Sequence, residues 1–174
     1  MYIYIYFGIF AFILNNSVLN IHFSSNILHA LLCRREFLVS PTFLICDFST
    51  SFRWRHSFVR FGATLLTLDL HESGIQTCDT QAFIGLTKLK KLMLWGNKLT
   101  YVPGDWFVNM YSLQTLDLSF NVIQWIDYTT FPMLSNLQNF YFDYNQLNSI
   151  DYNLFAYLGN LKKVKFSKNP WKWA

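Results

Sequence analysis

Asp69, His71 and Glu72 stand within four residues of one another. They carry the donor types that acid–base chemistry or a metal ion would use. Alternation along an extended chain puts Asp69 and His71 on one face. No serine is arranged with them as a nucleophilic triad requires, and two ligand types at one point make a weak metal centre. The other histidines, His22, His29 and His56, lie well upstream. The cluster therefore reads as a solvated polar face. There is no glycine-rich phosphate loop, and Cys33, Cys46 and Cys78 show no CxxC or CxxH spacing. The residues thus predict no catalytic group, no cofactor and no metal. Net charge is +4 with only 14% charged residues. Without a dense Lys/Arg run or a matching motif, this predicts no nucleic-acid partner.

The elements that carry these residues announce themselves by repetition. Leu65, Leu89, Leu113, Leu137 and Leu161 recur every 24 residues. Counting each as offset zero, offset three reads Leu68, Leu92, Leu116, Phe140 and Val164, and offset five reads Leu70, Leu94, Leu118, Phe142 and Phe166. Offset eight reads Ser73, Asn97, Asn121, Asn145 and Asn169; offset eighteen reads Phe83, Phe107, Phe131 and Phe155. Two apolar residues separated by one position are what a short strand with one inward face needs. A single such unit cannot bury that face. Stacked units can, at the spacing of paired strands, about 4.8 Å. A buried asparagine at the strand end both donates to and accepts from the turn backbone. The phenylalanines are predicted to stack as an aromatic spine. The period predicts parallel strands near 66–70, 90–94, 114–118, 138–142 and 162–166, all in one sheet.

The pattern LxxLxLxxNxL followed by phenylalanine resembles the leucine-rich repeat, and the 24-residue length resembles its typical extracellular class. Toll-like receptors, small proteoglycans and insect immune leucine-rich-repeat ectodomains are of this kind. The resemblance covers residues 63–174, as four full units, a terminal strand and the start of a C-terminal flank. It implies an α/β-type solenoid: a right-handed superhelix with a parallel concave β-sheet and an irregular convex side. It also implies a non-catalytic protein-recognition module, secreted or part of a receptor ectodomain, of innate-immune or adhesion type. The alternatives are an intracellular scaffold and a structural protein that oligomerises or adheres through its convex face or open ends.

In such a fold offsets two, four and six point into the concavity, with offset seven at its edge. These columns collect Trp95, Phe120, Tyr141 and Tyr144 with Met93 beside them, Asp117 and Asp143 flanking, and Lys165 in the last unit. Large aromatics that the repeat does not require are candidate anchors for a protein partner. The alternative is an aromatic-rich sequence (20% Phe, Trp and Tyr) without a selected partner. Lys162, Lys163, Lys165 and Lys168 read first as a solubilising edge strand.

Residues 1–62 do not follow the repeat. Tyr2 to Leu14 is an unbroken apolar and aromatic run. It is too short for a membrane span of about 20 residues, so residues 1–16 are either a signal peptide or a mis-predicted start. Residues 17–62 form a poorly defined segment, a candidate degenerate cap in which Cys33 and Cys46 either pair or stay free. Cys78 falls in an inward column and reads as a small buried hydrophobe. The ending Asn169-Pro170-Trp171-Lys172-Trp173 resembles the NPWxCxC opening of a cysteine-rich C-terminal flank, with Trp173 in place of the first cysteine. That predicts a fragment cut before its cap.

Overall fold

Residues 3–7, 10–15, 18–22 and 64–172 are described by a computed structural model. In chain order the strands are β1 (Ile3–Phe7), β2 (Phe10–Asn15), β3 (Val18–His22), β4 (Leu65–Asp69), β5 (Lys91–Met93), β6 (Tyr101–Val102), β7 (Thr115–Asp117), β8 (Trp125–Ile126), β9 (Asn139–Tyr141) and β10 (Lys163–Lys165). One sheet runs β1-β2-β3-β4-β5-β7-β9-β10. Its five repeat strands are parallel and in register, so that Leu68, Leu92, Leu116, Phe140 and Val164 form one row across it. The period-24 stride predicts this arrangement, because equal strides bring equivalent residues side by side. β2 pairs antiparallel with β1 on one side and β3 on the other, and β3 joins β4 in parallel. The apolar run near the N-terminus thus contributes its backbone to β1 and β2. The Cys33–Cys46 pair, residues 23–62 and Trp173 lie outside the described residues.

Behind the sheet, the inward columns close into one core. Leu65, Leu68, Leu70 and their equivalents through Phe142 are buried. Phe83, Phe107 and Phe131 are fully buried beneath them, while Phe155 is half-buried in the last unit. The spine is not a plain stack. Phe83 reaches Phe107 through Trp106, with centroid separations of 5.5 Å and 6.3 Å. Phe107 and Phe131 then lie 6.2 Å apart. Cys78 packs against this core, and burial raises its thiol pKa well above the ordinary value, leaving it protonated and inert.

The asparagine column holds the turns. Asn121 Oδ1 accepts from Leu99 N at 3.0 Å, and its Nδ2 donates to the carbonyls of Leu94, Leu118 and Ser119 at 2.9, 3.1 and 3.2 Å. Asn97, Asn145 and Asn169 repeat the arrangement. Each amide therefore ties its own turn to the preceding unit.

One position before each of these, and before Ser73 in the first unit, the backbone turns left-handed. Glu72, Gly96, Phe120, Tyr144 and Lys168 have φ of 47°, 72°, 54°, 54° and 59°. A Cβ on Gly96 would stand 2.7 Å from Glu72 Cγ, so glycine there answers both the dihedral and its neighbour.

The convex side is built of short, unlike pieces from unit to unit. β6 and β8 pair in parallel as a second, two-stranded sheet. Short 3₁₀ turns at Gly104–Phe107 and Tyr128–Leu134 and a one-turn α-helix at Asn153–Ala156 return the chain to the next strand. Asp127 caps the second of these by accepting from Thr129 N at 2.9 Å. Among the described residues, no helix is long and apolar enough to cross a membrane.

Candidate functional site

The offset-four column forms the floor of the concave face. Strand register sets Met93 beside Asp117, Asp117 beside Tyr141 and Tyr141 beside Lys165. All but the exposed Lys165 are half-buried. Lys163 and Lys165 both lie over the Tyr141 ring, with Nζ 5.6 Å and 5.4 Å from its centroid. This is the range in which a cation is drawn to an aromatic face.

The turn residues build the wall above that floor. Trp95 lies flat against His71, with ring centroids 4.5 Å apart and planes within 6°. His71 Nδ1 meets Asp69 Oδ1 at 2.6 Å, so the polar cluster is engaged internally and supports the wall. Among the described residues no group of His, Cys, Asp and Glu could hold a metal ion. Phe120 and Tyr144, both left-handed, stack face to face at 4.3 Å. They remain 52% and 45% exposed, large apolar faces held open to solvent.

Trp95, Phe120 and Tyr141 enclose a cavity of about 310 Å³ together with Asp117, Ser119, Asp143 and Lys165. Met93 and Tyr144 stand outside its lining. One residue departs from the sequence expectation. Asp143 was expected as a solvent-facing flank, yet it is only 8% exposed, and its equivalent Ser119 is buried too. The strand ends at Tyr141, so period-two alternation no longer governs offset six. The turn instead covers this position in the two central units, while Trp95 stays half-buried and Ser167 exposed.

Asp117 accepts from Ser119 N at 3.0 Å and from Ser119 Oγ at 2.5 Å. Burial raises its pKa above 3.8; the Ser119 bonds and Lys165 oppose this, and the Asp143 charge adds to it. A raised carboxyl pKa means that the folded chain takes up this proton more readily than the unfolded one. The Asp117 contribution therefore improves as pH falls through the folded value, and is unfavourable above it. Unfolding free energies measured from neutral pH down to about 4 test this. Asp117→Asn should remove part of the acid-side gain relative to the unmodified chain. Identical pH profiles for the two would show that Asp117 is not the group responsible.

Sequence reasoning missed two features. Tyr101 and Trp125 stack at 6.1 Å on the convex sheet, both exposed. Their signal was present, since each precedes an inward residue, Val102 or Ile126, by one position. At the last unit Phe142, Ile150, Phe155, Phe166 and Trp171 line an apolar cavity of about 410 Å³.

The leucine-rich repeat profile matches residues 63–123, 87–139 and 112–170. No curated protein sequence matches the chain. Among solved structures, it is similar to Toll in the Toll–Spatzle complex from Drosophila, at 26% identity and a TM-score of 0.60 over 65% of this chain and 17% of that one. It is similar also to TLR13 in its complex with ssRNA13, at 28% identity and a TM-score of 0.64 over 69% of this chain and 17% of that one. The chain thus spans about a sixth of the length of either structure. With the asparagine ladder, the parallel sheet and three overlapping profile matches in agreement, the chain belongs to the leucine-rich repeat family.

Proposed function

We propose that this array is a non-catalytic protein-recognition module that presents its concave face to a partner, within a secreted or receptor-ectodomain protein of innate-immune or adhesion type. The observation that carries this reading is the aromatic and acidic cavity shared by three adjacent units, at Trp95, Phe120 and Tyr141. Aromatic side chains in such a place join large apolar area to few rotatable bonds, the usual make-up of interface hot spots. The likeness to Toll, whose structure was solved as a complex with Spatzle, supports a protein ligand and an extracellular setting. TLR13 was solved with a single-stranded RNA. Here the carboxylates of Asp117 and Asp143 at the cavity would repel phosphates, which favours protein.

Binding to a panel of extracellular proteins displayed on cells identifies the partner. Against it, Tyr141→Ala with Trp95→Ala should weaken affinity by about tenfold or more, while Lys162→Ala, outside the cavity, changes it little. Undiminished binding by the double variant, with a folded circular dichroism spectrum, would move recognition to another surface. The exposed Tyr101–Trp125 pair favours a convex adhesive face as the second reading, and Trp125→Ala tests it on the same panel.

A further inference from the structure

Asp143 is buried, yet its carboxyl group has no hydrogen-bond or ion-pair partner among the described residues. Its backbone carbonyl is used, accepting from Phe120 N at 3.0 Å and from Asn145 Nδ2 at 3.3 Å. Its side-chain oxygens meet no donor, and they are not sealed from solvent as the Trp106 indole nitrogen is. Asp143 lines the 310 Å³ cavity, so that cavity is where its remaining access lies. Lys165, on the same lining, sits over the Tyr141 ring and makes no ion pair with Asp143 or Asp117. An unpaired carboxylate on a residue this covered reaches water only through the cavity, so a cationic donor entering there would meet an acceptor with no protein partner. Asp117 adds a second carboxylate close enough for the two charges to interact.

The walls narrow the choice of ligand. Trp95, Phe120 and Tyr141 offer π faces, which attract cations. An apolar ligand would leave Asp143 dehydrated and unpaired, and an anion would meet two carboxylates. A metal ion lacks a third ligand of suitable type. Between the two basic side chains, the guanidinium is planar, stacks on aromatic rings, forks its donors to carboxylate oxygens and is the more weakly hydrated. We infer that the cavity bounded by Trp95, Phe120, Tyr141, Asp117 and Asp143 is a receptor for one arginine side chain of the protein partner, its guanidinium paired with Asp143 and stacked on the aromatic wall. This deepens the recognition reading above and rests on it. Lys165 stands at the rim as a competing cation.

The test needs no partner. Nα-acetyl-arginine N-methylamide is titrated into the full chain, with the lysine and norleucine analogues as comparators. The readout is the indole resonance of Trp95, assigned through Trp95→Phe. Arginine should give a saturable shift, lysine a weaker one and norleucine none. Asp143→Asn, nearly isosteric, should weaken the arginine response about tenfold, and Lys165→Met should strengthen it. An equal response to norleucine, an equal response to lysine, an unchanged Asp143→Asn, or a weaker Lys165→Met each overturns the assignment. Retained amide spectra show that the variants are folded, and Lys165→Met alters only an exposed side chain. If the Trp95 and Tyr141 variants lose the partner while arginine fails to bind, concave recognition stands and the guanidinium receptor falls.

Discussion

Asn121→Ala lowers the unfolding free energy by about 3 kcal/mol, the upper end of what an unsatisfied buried group costs. The substitution removes one acceptor and one amide donor group together. Leu99 N loses its acceptor, and the carbonyls of Leu94, Leu118 and Ser119 lose a donor. These groups lie in the buried turn between two units, where water cannot replace the amide without opening the stack. In a solenoid each unit leans only on its neighbours, so loss in the centre weakens the interfaces on both sides. Asn169→Ala should cost less, because its bonds to Phe166 and Ser167 are at an exposed end. Urea denaturation of the three proteins, with exposed Gln124→Ala as reference, measures the difference. If Asn121→Ala melts with Gln124→Ala, the ladder does not hold the turns.

Phe107→Ala produces the larger loss, about 3–5 kcal/mol, the range for emptying a buried aromatic site. Phe107 is fully buried between Trp106 and Phe131, with centroids 6.3 Å and 6.2 Å away. Both neighbours are themselves pinned, so the void has little means of collapse. Phe155→Ala, at a half-buried ring, should lose clearly less. The midpoint shift in guanidinium chloride ranks the two. Equal shifts would mean that the spine carries no more load in the centre than at its last unit.

The sheet, the core columns and the ladder were legible because a fixed stride keeps every equivalent side chain on the same face. Leu92 over Leu116 over Phe140 needs only counting. Trp95, Phe120 and Tyr141 were legible in the same way, as large residues at offsets the core does not use. What counting misses is local. β6 and β8 are two residues each and gain their pairing only across units, so the exposed-then-inward pairs Tyr101–Val102 and Trp125–Ile126 mark the positions but not the strand pairing. The burial of Asp143 arises after the strand has ended, where alternation no longer applies. Trp106 joins the spine from a column filled by an aromatic in one unit alone, so no periodicity marks it.

On the concave-face reading proposed above, the left-handed column after the repeat strands sets heat tolerance against recognition. A side chain in that conformation costs roughly 1–2 kcal/mol, of which glycine's greater freedom in the unfolded chain takes back about 0.5–1 kcal/mol. At Glu72 or Lys168 an engineer could take the remainder and leave the aromatic pair alone. At Phe120 and Tyr144 the same exchange removes the two rings that stand open to solvent. A library screened for thermal endurance alone would drift toward glycine along this column. One screened for ligand capture would keep the rings and accept the lower melting point.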